Sequence, residues 1–289
     1  MRTTLGTSTM EGMTDSSDST ALDARPTSAQ ARPADLARQG VVVLSAVVAV
    51  VGSAVGSGAF GGTPIAEAGG GALSAEATLV APAGPAFSIW SLIYLGLVAY
   101  AVWQALPAHR TDPRQRATGW LAAASLVLNA VWILVAQAGY VAASSLVIVG
   151  LLAVLVVLFG RLVVTRPAGR VEGVLVDGTF GLYAGWVSVA TIANVAAALN
   201  DAGVTQGVLG APTWGVVVVA VAAAVGTYVA SLSRGAFGYG GALAWGLGWI
   251  AVGRASGPDT SATVLVAAAL ASGVVVAATL IARSGRRRA

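Results

Sequence analysis

The feature that most constrains this chain is a run of roughly 20 apolar residues that recurs eight times, each repeat with few or no charges inside it. The runs fall at 41–57, 87–106, 119–137, 142–164, 176–199, 214–232, 236–252 and 262–282. At a helical rise of 1.5 Å per residue each covers roughly 25–35 Å, the thickness of a hydrocarbon core. Inside lipid the backbone must satisfy its own hydrogen bonds, which leaves helices or a closed barrel. Barrel strands alternate over about ten residues, whereas 147–159 is continuously apolar, so the spacing predicts helices. The expected fold class is therefore an all-α polytopic membrane protein. Composition agrees: 56% of residues are hydrophobic and 10% charged, against roughly 25% charged in soluble domains, and the mean hydropathy is +0.81.

All sixteen basic residues are arginine, and with twelve acidic ones the net charge is +4. Fifteen of the sixteen fall in the first tail, in alternate loops and at the C-terminus; only Arg254 falls in the other set of loops. Basic residues beside span ends favour the cytoplasmic face, so the pattern predicts eight spans with both termini inside; the expected location is a bacterial cytoplasmic membrane. It also explains the basic pI without nucleic acid, for which a soluble aromatic-bearing surface would be needed. Residues 1–39, rich in Ser, Thr, Asp and Arg, read as a disordered cytoplasmic tail, with Met1, Met10 or Met13 as possible starts and too long a lead for a cleaved secretory signal. The chain has no cysteine and one histidine, His109, so disulfides, thiolate chemistry and His-rich metal sites are excluded. No catalytic residues, metal or cofactor are expected.

Chemistry must then come from the spans. Asp177 is the one carboxylate placed inside an apolar segment, at the start of the fifth, where a solvated acid at a helix N-terminus is the plainer reading. Trp90 and Tyr94 are four apart; Asn129 and Trp132 are three apart, with Ser125 a turn earlier; Tyr183, Trp186, Ala190 and Asn194 form one stripe. Amides in hydrocarbon need partners, so Asn129 and Asn194 should face the bundle. The expected arrangement is an aromatic cup with Trp90, Asn129, Trp132 and Asn194 near its rim and Tyr183 and Trp186 as its floor. Such a cup suits a flat hydrophobic ligand, while helix packing without any ligand remains open. The cup would open toward the long loop 58–86, whose charges are Glu67 and Glu76 and which is either a lid or simply loose. Trp103, Trp120 and Trp214 sit at span ends as an interfacial belt. Trp245 and Trp249 share a face of the glycine-rich seventh span and read as close helix packing. Gly52 and Gly56 mark an association face, within the chain or in a homodimer.

These residues carry a resemblance. Gly84-Pro85-Ala86-Phe87-Ser88-Ile89-Trp90-Ser91-Leu92-Ile93-Tyr94, Leu128-Asn129-Ala130-Val131-Trp132 and the stretch from Tyr183-Ala184-Gly185-Trp186-Val187 through Ala190-Thr191 to Asn194 resemble the second, third and fifth helix signatures of the TspO/MBR family of tryptophan-rich sensory proteins. The resemblance implies a five-helix bundle over 40–200 that binds tetrapyrroles such as porphyrins. It implies ligand-binding roles for Trp90, Asn129, Trp132, Trp186 and Asn194, with Tyr94 and Tyr183 as weaker candidates. The sequence departs from the pattern in the first loop, where 79–83 has no tryptophan, and at Ile133-Leu134 and Gly181-Leu182, where the family often has proline. Residues 201–289, with three further transmembrane helices, lie outside the five-helix pattern. Two other functions remain open on the sequence: an uncharged-solute transporter or channel, and a structural membrane protein without a small-molecule ligand.

Overall fold

A computed structural model describes residues 30–56, 67–204, 210–256 and 259–286. Among them all regular structure is helical, with eight long helices: α1 (Pro33–Gly56), α2 (Ile89–Ala105), α3 (Pro113–Gln137), α4 (Val141–Val164), α5 (Thr179–Asp201), α6 (Gly210–Leu232), α7 (Phe237–Ala255) and α8 (Ala262–Arg286). A 3-10 turn, Gly84–Ser88, leads into α2, and a π-helical turn, Gly173–Gly178, leads into α5. Seven of the eight are long and apolar enough to cross a membrane, so the chain is an integral membrane protein. The exception is α7, whose glycines, tryptophans and Arg254 lower its hydropathy. Its surface is nevertheless mostly buried, because α7 is wedged between α5 and α8.

Helices α1, α3, α4, α5 and α2 pack in that order into a ring, closed where α2 meets α1 and α5. The remaining three add to one side of it: α7 lies on α5, α8 on α7, and α6 on α8. Glycine permits the junction. Gly181, at one of the departures from the family pattern, and Gly185 lie directly against the α7 backbone at Tyr239, and a side chain at Gly185 would strike the Tyr239 carbonyl. Gly52 and Gly56 of α1 face Ala130 and Ile133 of α3, so that association face is spent inside the chain.

The start of α1 differs from the sequence reading. Helix begins at Pro33, so the last residues of the expected 1–39 tail are helical, and most of the rest of that tail lies outside the described residues. Proline suits the first helical turn, where its missing N–H costs nothing, and Asp35 accepts the Arg32 amide at 2.9 Å. Asp112 caps α3 from the residue before it, accepting from the Arg114 and Gln115 amides of its first turn. Arginines expected in a solvated loop are consequently drawn into structure. Arg114 donates to Asp177 at 2.6 Å and to Glu172 at 3.0 Å, tying α3 to the entry of α5. Arg116 pairs with Asp35 of α1 at 2.6 Å. Arg38 is buried and donates to the His109 and Arg110 carbonyls. Asp177 is thus half of a structural ion pair.

Helix α2 has 17 residues, against 23 to 25 in α1, α3, α4 and α5. The shortfall is about 9–12 Å at the helical rise, and it falls at the end of the ring away from the arginine-rich loops. The segment before α2 drops into that space, burying Val80, Ala81 and Ala86.

Candidate functional site

The seven residues singled out in the sequence meet beneath this inserted segment. Trp90 is at their centre. Its ring lies 6.1 Å from Trp132 and 5.6 Å from Tyr94, both nearly parallel, and meets Tyr183 at 6.1 Å and Trp186 at 6.3 Å edge-on. These separations are those of favourable aromatic pairs. Phe87, which the sequence reading quoted but did not select, adds a T-shaped contact to Trp186 at 5.6 Å.

The amides point inward, as expected of groups that must find partners in hydrocarbon. Asn194 accepts the Trp132 indole N–H at 2.7 Å, and its own NH2 reaches Ser144 at 3.0 Å and Ser145 at 3.2 Å on α4. Asn129 donates to the Tyr94 hydroxyl at 2.6 Å. The Tyr183 hydroxyl donates to the Ser125 carbonyl at 3.2 Å. Ser144 and Ser145 were missed in the sequence, although two adjacent hydroxyls at the start of an apolar run were the available signal. Two atoms are left over: the buried Trp186 Nε1 and the buried Asn129 Oδ1 have no hydrogen-bond partner. Such vacancies cost about 1–3 kcal/mol each.

The expected cup with a separate floor is therefore not what forms. Because α2 starts low, Trp90 reaches the level of Trp186 and fills the space between the walls. A cavity of about 40 Å³ remains under the inserted segment, bordered by Leu73, Thr78, Pro82, Trp90, Trp186 and Asn194 among others. Drug-sized ligands occupy roughly 300–1,000 Å³, so a flat macrocycle enters only if the segment lifts and Trp90 swings out.

That segment is fastened chiefly to α7. Arg254 donates to the Thr78 carbonyl at 3.0 Å and the Ala75 carbonyl at 3.1 Å and is itself buried. The Ala83 amide donates to the Trp249 carbonyl at 3.1 Å, and the Trp245 indole donates to the Ala86 carbonyl at 3.0 Å. From α5, Asn200 reaches the Ala77 carbonyl at 3.3 Å. Arg254 was visible in the sequence as the one arginine on the wrong side of the charge pattern, but that singularity did not reveal its role. Trp245 and Trp249 pack edge-on at 5.5 Å; besides packing helices, they hold the cover of the site. Trp120, about two turns into α3 and so not at the helix end expected of it, and Trp214, near the start of α6, are about half exposed, and Trp103 stacks on His109 at 3.7 Å.

Among the described residues no cluster of His, Cys, Asp or Glu of metal-binding kind is found. No curated protein and no solved structure matches the chain. A family model described as TSPO-like protein matches residues 41–281, which reaches from α1 into α8 and so includes the three helices that the sequence motifs had left outside the pattern. With the aromatic cluster on α2, α3 and α5 and a match over most of its length, the chain belongs to the TSPO-like protein family.

Proposed function

We propose that this protein is a membrane receptor for a flat hydrophobic molecule of the tetrapyrrole type, held between α2, α3 and α5 by Trp90, Tyr94, Asn129, Trp132, Tyr183, Trp186 and Asn194. The observation that carries the reading is the pairing of a stack of indoles around Trp90 with an unpartnered indole N–H at Trp186. A macrocycle taking the space that the Trp90 ring now fills, with that ring turned aside to stack on its edge, would keep the stacking and offer an acceptor to the unpartnered Trp186 N–H. Trp90 acts as the plug of the empty state. The segment 72–83 acts as the lid, and α7 as its fastening, which gives residues 201–289 a part in the same site. The chain is further proposed to cross a bacterial cytoplasmic membrane eight times, with both termini inside and the lid outside.

Protoporphyrin IX titrated into the detergent-solubilised protein is expected to quench its tryptophan fluorescence saturably. The double variant Trp132→Phe, Trp186→Phe keeps rings in place but removes both N–H donors, and its affinity should fall about tenfold or more. Equal affinity in wild type and double variant rejects this site.

A further inference from the structure

A second space lies on the other side of the inserted segment. It has a volume of about 950 Å³ and is bounded by residues 77–80 of that segment, the last turns of α5 and the first turns of α6, with Asp259 ahead of α8 at its border. Leu79, Ala196, Leu199 and Val218 give it hydrocarbon walls, and Trp214, about half exposed, presents indole surface to it. Ala77 and Thr78 border both this space and the small cavity beside Trp90, so the segment is the partition between them.

The charge around it is of one sign. Asp259 borders it, Glu76 directly precedes Ala77 and Asp201 directly follows Asn200, and among the described residues none of the three is in an ion pair. Arg254 is close enough to feel Glu76 and Asp259, but its Nη donors go to the Ala75 and Thr78 carbonyls. Three carboxylates against this one arginine leave the border net negative.

We infer that this space binds a lipophilic monovalent cation, and that the occupant holds the inserted segment down. Each feature narrows the chemistry. The bordering carboxylate attracts a cation and repels an anion of equal size. Hydrocarbon walls give a hydrated metal ion nothing to exchange for its water, whereas an aryl- or alkyl-substituted ammonium or phosphonium ion buries its body there and lays its charge against the Trp214 indole. The hold follows from linkage. Lifting residues 77–80 removes one wall, so the cation binds only the closed segment and stabilises it by its own binding free energy. Entry of a porphyrin beneath the segment would then be opposed without any overlap of the two ligands; that consequence rests on the receptor reading, whereas the site and the hold do not.

The test uses tetraphenylphosphonium on the full chain in a nonionic detergent, with tetraphenylborate, alike in shape and opposite in charge, as the control. Equilibrium dialysis against a micelle blank should find one saturable phosphonium per chain and no saturable borate. At ten times the dissociation constant, amide hydrogen exchange across 77–83, read without porphyrin, should slow about tenfold. Asp259→Asn should weaken binding about threefold, the size expected of an exposed charge. Leu199→Arg, which puts a cation on a half-exposed part of the wall, should abolish both binding and slowing, and Leu199→Met should keep both; exchange in α3 and α4 unchanged from wild type shows that the variants fold. Absent phosphonium binding, borate binding of equal strength, binding undiminished in both Asp259→Asn and Leu199→Arg, or binding that leaves exchange across 77–83 unchanged overturns the inference.

Discussion

At the scale of single residues, Asn194 and Arg114 do more than their neighbours, and for related reasons. Each joins helices through several hydrogen bonds, Asn194 within the bundle and Arg114 at the first turn of α3. Asn194→Leu would strand the Trp132 N–H at a cost of about 1–3 kcal/mol and cut the side-chain ties to Ser144 and Ser145, whose hydroxyls keep their bonds to the Val141 carbonyl. Asn129→Leu strands no group, since the Tyr94 hydroxyl keeps its hydrogen bond with Ser53. Thermal unfolding in detergent should therefore show a clearly larger loss for Asn194→Leu than for Asn129→Leu; equal losses would contradict the network. Arg114→Ala leaves the buried Glu172 without its cation, a loss of about 3–5 kcal/mol for a buried pair broken from one side, while the partly exposed Asp177 can turn to water. The inward direction of both asparagines was legible in the sequence because the cost of a bare amide in lipid is general. Their partners were not, since Ser144 and Ser145 lie some fifty residues away and nothing local marks which helix will be the neighbour.

At the scale of elements, the informative one is the segment ahead of α2 and its ties to α7. The sequence shows a long Gly-, Ala- and Pro-rich loop and leaves open whether it covers anything. What decides it is the low start of α2, and helix length at that end is set by the 3-10 turn Gly84–Ser88 and by the space the neighbouring helices leave, neither of which the apolar run 87–106 reveals. Removing the Arg254 clamp should loosen the cover without touching the aromatic cluster. For Arg254→Gln, amide hydrogen exchange is expected to quicken across 75–83, with protoporphyrin associating faster. Unchanged exchange would mean that the Trp249, Trp245 and Asn200 contacts hold the segment without it.

At the scale of the whole molecule, the helix count and the arginine-rich end follow from composition and charge alone, because the bilayer imposes a period that any solution must meet. The order of helices around the ring and the attachment of α7 to α5 do not follow, being set by glycines such as Gly185 whose close approach looks, in one dimension, like any other glycine in a chain that has 37. The absence of cysteine makes the membrane topology directly testable. Single cysteines placed at Glu76 and Asp259 should react with an impermeant maleimide added outside intact cells, and one at Ala168 only after the cells are opened. Labelling of the Asp259 site from the inside alone would show that α7 does not cross.

The composition of α7 bears on how the protein is made. A helix this poor in aliphatic residues gains little from leaving the insertion machinery by itself. For α7 as a proposed eighth span, release into lipid would be cooperative, delivered as a hairpin with α8 or received by the glycine face of α5 already in place. A chain interrupted after Ala255 would thus lack the helix against which α7 rests, and the fold would be completed only when its final helix emerges.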